Sequence, residues 1–511
     1  MRYRIDEDPF LDKQPPVDFL DDLTRPMHKD TPVQWNQRLS DKDEVFIPAA
    51  KLVTDFPDPE NVLETAYKDF LSFMKVSLIE DGEFTFQVQL QEDYEQEEYS
   101  IEVTETECIV SAGDTEGVRR GLVFIEDEMS RREGSFLPFG LIRRKAVLKT
   151  RISRCFFSPH YQTNGVGELA DDTDYYPDNY LNRLAHDGVN GLWIQEHFRK
   201  LLPSDVIHEY GKESEERLAR LNRVIQKCKR YGIRIYLEGV EPASTYNNPD
   251  LKNHPEILGQ PFGEHNAFCS STQKGQEYIR ESIKKLFTLV PDLAGLITIS
   301  VGESVATCAG VEGEQFSCPH CLELGLSKAQ ILANCENLMA DTLKEVEPEA
   351  ELISWTYAMR TWESEDALEY FNIRSDQSIN MTNFEDLGTP IQLGKPRLAY
   401  DYWLSYTGPG KLFESAAEIG EMRNTPVYAK IQVCNSHEVA SVPYVPVPGI
   451  LYDKFRYMHE HNITGVLYCW YFGNYPSLMN KAASELSFAP FYETKQEFLE
   501  YLASIYWGKD A

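Results

Sequence analysis

The chain reads as a (β/α)8 TIM barrel preceded by a small α+β domain, and three observations predict this. Beyond residue 151, apolar runs of strand length alternate with helical segments, and eight such runs occur: 152–157, 190–195, 233–238, 295–301, 351–355, 378–382, 427–433 and 464–470. The intervening helices are apolar on one side only. Leu218, Leu221, Val224, Ile225 and Cys228 form one stripe, and Ile279, Ile283, Leu286, Phe287 and Val290 another, as helices packed on the outside of a sheet require. Finally, the residues just after the runs alternate between carboxylates and large aromatics, and strand C-terminal ends are where barrels carry their chemistry.

In chain order, residues 1–57 are polar, contain Pro15-Pro16 and show no clear period, which predicts an extended arm or cap. The small domain spans 58–148. A helix is expected from Glu60 to Met74, followed by a strand in which Phe84, Phe86, Val88 and Leu90 alternate, then strands at 99–103 and 108–112. Asp114 is placed to cap a helix whose Val118, Leu122, Ile125 and Met129 recur at helical spacing. The barrel occupies 149–490. Its sixth unit has two readings, because Arg397 to Trp403 suits either a further strand or a long loop. A final helix, Lys495 to Tyr506, lies in the C-terminal segment 491–511, and it either closes the barrel or begins a further domain.

With 511 residues the chain can bury a large core. Its 50 Lys and Arg stand against 82 Asp and Glu, a net charge of −32 that repels phosphate backbones, so no nucleic acid partner is expected. No run approaches the roughly 20 apolar residues that span a bilayer, and the opening Met1-Arg-Tyr-Arg-Ile-Asp-Glu-Asp8 lacks the apolar region of a signal peptide. The expectation is a cytoplasmic protein with no membrane partner; a homo-oligomer is left open.

Most of the ten cysteines lie within apolar segments, which suits buried thiols better than a disulfide framework. Cys308, Cys318, Cys321 and Cys335 stand apart, because Cys318-Pro-His-Cys321 has the close spacing of a zinc knuckle. No second paired motif follows, so a cysteine-rich loop without metal is the expectation, and no cofactor is expected.

The strand-end residues are Ser158 and His160, Glu196 and His197, Glu238 and Glu241, Glu303, Trp355 and Tyr357, Glu385 and Asp386, Asn435 and Glu438, then Trp470 and Tyr471. Charged groups beside aromatic faces suit a sugar, whose hydroxyls take hydrogen bonds while its C–H faces lie on rings. A Gly-rich phosphate loop before a helix and the HExxH zinc motif are both missing from the sequence.

Glycosidic cleavage uses two carboxyl groups, one to protonate the leaving oxygen and one to attack or to activate water. Glu303, delivered at the end of Gly295-Leu-Ile-Thr-Ile-Ser-Val-Gly-Glu303, is the first choice for the acid. Glu438, beyond the seventh strand, is the first choice for its partner, with Asp401 and Glu238 in reserve. Trp193, Trp355, Tyr357, Trp403 and Trp470 are expected to shape the pocket. Lys430, Gln432 and Asn435 are expected to contact substrate, since polar residues within a buried strand need a partner or ligand. His437 could bind a hydroxyl.

The segments Tyr99-Ser-Ile-Glu-Val103, Cys108-Ile-Val-Ser-Ala-Gly-Asp-Thr-Glu-Gly117 and Arg120-Gly-Leu-Val-Phe-Ile-Glu126 resemble the domain preceding the barrel in glycoside hydrolase family 20 β-N-acetylhexosaminidases and in α-glucuronidases. Ala185-His-Asp-Gly-Val-Asn-Gly-Leu-Trp193 is similar to the approach to their second strand. The resemblance spans most of 58–475. It implies that Glu303 is the acid. Family 20 enzymes carry an Asp-Glu pair after the fourth strand, where Asp steers the substrate's acetamido group; here the pair reads Gly302-Glu303. The first strand, Arg151 to His160, also departs from their sugar-gripping Asp and Arg pattern. The segments 408–410, 438–444 and 470–476 resemble uncharacterised bacterial proteins of the same group. The expected function is therefore that of a divergent glycoside hydrolase removing a terminal sugar of the N-acetylhexosamine or uronic acid type. Two rivals remain: a barrel that binds carbohydrate without catalysis, and a metal-dependent function built on the cysteine loop.

Overall fold

The computed structural model describes residues 19–28, 35, 38–159, 167–299, 301, 302, 304–313, 315–385, 403–436, 438, 442, 444–471 and 474–509. Eight parallel strands close into a barrel: β1 (Thr150–Arg154), β2 (Gly191–Gln195), β3 (Arg234–Gly239), β4 (Gly295–Ile299), β5 (Glu351–Trp355), β6 (Ile379–Asn383), β7 (Val427–Lys430) and β8 (Gly465–Leu467). Each apolar run expected of a strand supplies one of them, so the (β/α)8 barrel preceded by an α+β domain is the observed fold. The runs at 427–433 and 464–470 were read too long, because hydrogen bonding as a regular strand stops at Lys430 and Leu467. Residues 386–402, which include most of the ambiguous stretch before Trp403, lie outside the described residues.

The two periodicities set the barrel's layers. Along a strand alternate side chains share a face, so Tyr236 and Glu238, Trp193 and Gln195, or Ile353 and Trp355, all point inward. Outside, the stripe Leu221, Ile225 and Cys228 and the stripe Ile279, Ile283, Leu286 and Phe287 are buried against the sheet in one continuous core. Inside, Ile152, Tyr236, Ile297, Ile353, Met381, Tyr428 and Leu467 fill the lumen. The lower lumen is closed by Glu351, which accepts hydrogen bonds from the hydroxyls of Tyr236 (2.7 Å) and Tyr428 (2.8 Å).

Ahead of the barrel stands a six-stranded sheet in the order Phe488–Ala489, Gly140–Ala146, Glu98–Val103, Glu107–Ala112, Glu80–Leu90 and Ala49–Thr54. Helix Glu64–Val76 and helix Thr115–Arg131 share its core, with Phe70, Phe86, Val110 and Ile125 fully buried. Asp114 caps the second helix through the Gly117 amide at 2.7 Å. Strand Ala49–Thr54 falls within the stretch expected to be an arm. It pairs in parallel with Glu80–Leu90 as an edge strand.

The C-terminal helix Lys495–Trp507 packs against helix Thr115–Arg131: Arg131 lies over the Tyr501 ring at 4.2 Å and donates to Ser504 at 2.8 Å. Arg151, fully buried at the start of the barrel, donates to the carbonyls of Gly188 and Leu148 at 2.7 Å each and to Glu97 of the small domain. Burial alone would raise the Glu97 carboxyl, but Arg151 and Arg120 outweigh it and hold it below the usual range. No helix among the described residues is long and apolar enough to cross a membrane.

Candidate active site

At the C-terminal end of the strands the inward layer changes from aliphatic to aromatic. Trp193 of β2 and Trp470, just beyond β8, stack with ring centroids 4.5 Å apart and planes 21° apart. Tyr471 meets both rings edge-on, at 5.4 Å from Trp193 and 4.6 Å from Trp470. Trp355 of β5 stands perpendicular to Trp470 at 4.8 Å and edge-on to Tyr357 at 5.5 Å. These rings come from β2, β5 and β8 and converge because all three positions are inward-facing. Trp193 and Trp355 are fully buried, whereas Trp470, Tyr471 and Tyr357 are half-buried and keep part of their faces available.

Arg154 ends β1 with its guanidinium over Trp193 at 4.2 Å, donating to the Trp193 carbonyl at 3.0 Å and to Glu168 at 2.8 Å. Burial opposes its charge, and Glu168 more than restores it, so Arg154 is held above the ordinary arginine range. The sequence reading singled out neither Arg154 nor Glu168. Their partnership is made by a loop closing back on β1, and nothing in local periodicity signals it.

Glu238 ends the same layer. It is fully buried on β3, opposite Gln195 of β2 and Ile297 of β4 in register. Neither of its oxygens makes a well-formed hydrogen bond among the described residues. Burial therefore raises its carboxyl to about 7, with the Gln195 side chain and Arg154 offsetting only part of the effect. Glu241 is also buried and is raised to about 8, again chiefly by burial, although it accepts a hydrogen bond from the Phe198 amide at 3.0 Å.

The other described strand-end carboxylates are paired. Glu196 meets Arg217 at 3.0 Å, Glu385 meets Lys454, and Glu168 meets Arg154. Glu438 lies in an exposed loop, where it accepts from the Ser405 amide at 3.1 Å, from the Ser436 hydroxyl at 2.7 Å and from the Ser405 hydroxyl. It fastens the turn at 403–405 to the loop after β7.

Trp403 is half-buried, and its carbonyl accepts from Lys454 at 3.4 Å. Lys430 and Gln432 are fully buried; Lys430 donates to the Ile431 carbonyl at 2.6 Å and to Gln432 at 3.1 Å, and Gln432 donates to the Asn435 carbonyl at 3.2 Å. Asn435 is buried and bonded to the Val442 carbonyl and the Ser436 amide. Glu303, Asp401, His160, Asp386 and His437 lie outside the described residues.

The structure thus brings Trp193, Glu238, Trp355, Tyr357 and Trp470 into one mouth, with Arg154, Gln195 and Tyr471 added. At Gly302 a Cβ would lie 2.5 Å from Ile299 Cγ2, so an aspartate there would require the Ile299 side chain to shift.

This architecture matches solved structures across most of the chain. A β-N-acetylhexosaminidase from Bacteroides fragilis NCTC 9343 superposes with a TM-score of 0.55 at 13% identity, covering 93% of each chain. The GH20 exo-β-N-acetylglucosaminidase of Vibrio harveyi, in complex with N-acetylglucosamine, gives 0.54 at 13% identity over 94% of this chain and 77% of that one. A GH138 enzyme targeting pectin rhamnogalacturonan II gives 0.57 at 11% identity over 82% of this chain; the match spans 46% of that enzyme's length. The fold is one shared with these glycoside hydrolases. No protein-family model matches the sequence, and no curated protein matches it. At such low identity the likeness carries the architecture and leaves the chemistry to the residues themselves.

Proposed function

We propose that the protein is a glycoside hydrolase that removes a terminal sugar of the N-acetylhexosamine or uronic acid type. The observation that carries this reading is Glu238. Of the described strand-end carboxyls it alone has neither a cation nor a well-formed hydrogen bond, and it lies in the layer walled by Trp193, Trp470 and Tyr471. A buried carboxyl whose burial the described residues offset only in part, through Gln195 and Arg154, opposes folding, so its presence at the mouth of a barrel is best accounted for by a ligand that completes it. A carboxyl titrating near about 7 is also poised for proton transfer at neutral pH.

In this reading Glu303, which follows β4 in the chain, protonates the leaving oxygen. Glu238 is the second carboxyl and works in its ionised form, as nucleophile or by activating water. Exposed faces of Trp470 and Tyr357 take the C–H face of the sugar. The hexosaminidase activity of two structural neighbours and the pectin substrate of the third favour carbohydrate over other ligands for such a mouth.

Aryl-glycoside hydrolysis across α and β N-acetylhexosaminides, hexosides and uronides tests the proposal. Release from one substrate should fall by at least about 100-fold in both Glu303→Gln and Glu238→Gln, the scale of losing a positioned proton-transfer group. In the wild type kcat/KM should rise with pH through about 7 as Glu238 ionises. Turnover by Glu238→Gln at the wild-type rate would remove Glu238 from the mechanism.

One observation favours a second reading, a barrel that binds carbohydrate without cleaving it. Position 302 carries glycine where family 20 has the aspartate that supports an acetamido group, and a side chain there would meet the Ile299 methyl at 2.5 Å. Saturable sugar binding with no product from any glycoside in the panel would select it.

A further inference from the structure

The sequence reading expected a metal-free cysteine loop and grouped Cys335 with Cys308, Cys318 and Cys321. The fold regroups them. Cys335 lies on helix Lys328–Val346, buried in the main core. Its place is taken by Cys269, which directly follows the second strand of the hairpin Leu258–Phe262 and His265–Phe268 inserted after β3. Cys308 opens a short turn in the loop after β4. Cys318 and Cys321 sit at the start of helix Pro319–Glu323. The four Sγ atoms all lie within 4.8 Å of one another, and all four residues are buried.

Their spacing is informative. Cys269 Sγ is 3.7 Å from Cys318 Sγ and 3.9 Å from Cys321 Sγ. A disulfide holds its sulfurs at about 2.05 Å, so these thiols are not bridged. A tetrahedral zinc with Zn–S bonds of about 2.3 Å places its sulfurs about 3.8 Å apart.

The surroundings are built for thiolates. The Gln260 amide donates to Cys308 Sγ at 3.3 Å, and the Ser271 hydroxyl lies 3.5 Å from Cys321 Sγ. The buried Gln260 side chain accepts from the amides of Ser317 (2.7 Å) and Cys318 (3.0 Å) and donates to the Gln315 carbonyl (3.0 Å), which fixes the knuckle. Gly259 leaves the space: a Cβ there would lie 2.2 Å from Cys308 Sγ and 3.4 Å from Cys318 Sγ.

We infer that Cys269, Cys308, Cys318 and Cys321 form a structural zinc site that staples the hairpin after β3 to the loop after β4. Four soft thiolates in a closed shell select Zn2+ among common divalent ions and leave no open position for substrate or water. The site joins two chain segments that are already held together by the bridge between Phe268 and Thr307 and by the bonds of the Gln260 side chain to residues 315–318. The inference does not depend on the glycosidase reading.

Metal analysis of the full-length protein, purified under reducing conditions and desalted, tests it. One zinc per chain is expected, with an X-ray absorption shell of four sulfurs at about 2.3 Å. Cys308→Ser and Cys321→Ser should lose at least half of the zinc, while Cys335→Ser should keep it. Protein stripped of metal and given Co2+ should show the intense sulfur-to-cobalt charge-transfer absorption of a thiolate site, a readout that does not require the variants to fold. Zinc bound through nitrogen or oxygen at about 2.0–2.1 Å, zinc retained in Cys308→Ser and Cys321→Ser, or wild-type protein that binds neither Zn2+ nor Co2+ would overturn the assignment.

Discussion

The two ends of the barrel lumen treat a carboxyl in opposite ways. At the floor, Glu351 accepts from Tyr236 and Tyr428 at 2.7 and 2.8 Å, while Arg234 donates to Thr150 at 3.1 Å and completes the polar plug. At the mouth, Glu238 lies on the same strand as Tyr236 and on the same inward face, yet has no well-formed hydrogen bond among the described residues. Both groups sit among aromatic rings. Among the described residues one is satisfied by the protein and the other is not, so the floor reads as a device for stability and the mouth is where the proposed binding or chemistry would act. That division agrees with where barrels of this class place their sites.

The largest effect should come from breaking the floor. Glu351→Ala removes the acceptor of two tyrosine hydroxyls, and each buried donor left unpaired costs about 1–3 kcal/mol. Unfolding in denaturant should show a loss of about 3 kcal/mol, with kcat/KM per folded molecule unchanged. A loss below about 0.5 kcal/mol would mean that the tyrosines find other acceptors, and the contrast between the two ends would fail.

The mouth should respond in the opposite direction. Glu238 has a reference value of 4.5 and is raised to about 7 in the fold. Between those values the native state keeps a proton that the unfolded chain has released, so stability falls as pH rises through that window and levels off above about 7. The full cost of ionising the group is about 3 kcal/mol at this shift. Glu238→Gln removes it. The mutant should be more stable than wild type at pH 8, by about 1–3 kcal/mol, and the difference should shrink towards pH 5. An equal offset at both pH values would show that the carboxyl is satisfied after all.

The same contrast explains what was legible in the sequence. Buried parallel strands read as continuous apolar runs, so Gly295 to Ile299 and Glu351 to Trp355 announce themselves. Asp114 and its helix are equally local. Strand Ala49–Thr54 was not legible, because an edge strand with one buried face, Ala-Ala-Lys-Leu-Val-Thr, carries little pattern. Strand Gly140–Ala146 hides for a related reason: its Arg143 and Lys145 are balanced by Glu98 and Glu95. The aromatic wall was visible as residue types at strand ends. The state of each carboxylate was not, since pairing with Arg217, Lys454 or Ser405 depends on chain segments far away in sequence. Cys269 shows the same limit, because only the hairpin after β3 brings it to the knuckle at 318–321.

The smallest expected effect separates the two candidates for the second carboxyl. Glu438 was favoured on sequence because the ends of the fourth and seventh strands face each other across a barrel mouth. In the fold it is exposed, and its oxygens take hydrogen bonds from Ser405 and Ser436. A group held this way stabilises a loop, and because water competes for an exposed carboxylate its hydrogen bonds add little to stability. Glu438→Gln keeps the shape and one acceptor, so the loss of stability should stay below about 1 kcal/mol and kcat should change less than threefold. A nucleophile or general base tolerates no such substitution. If Glu438→Gln were as inactive as Glu303→Gln while Glu238→Gln kept its rate, the second carboxyl would come from the loop after β7, and the buried charge on β3 would revert to a feature of the lumen.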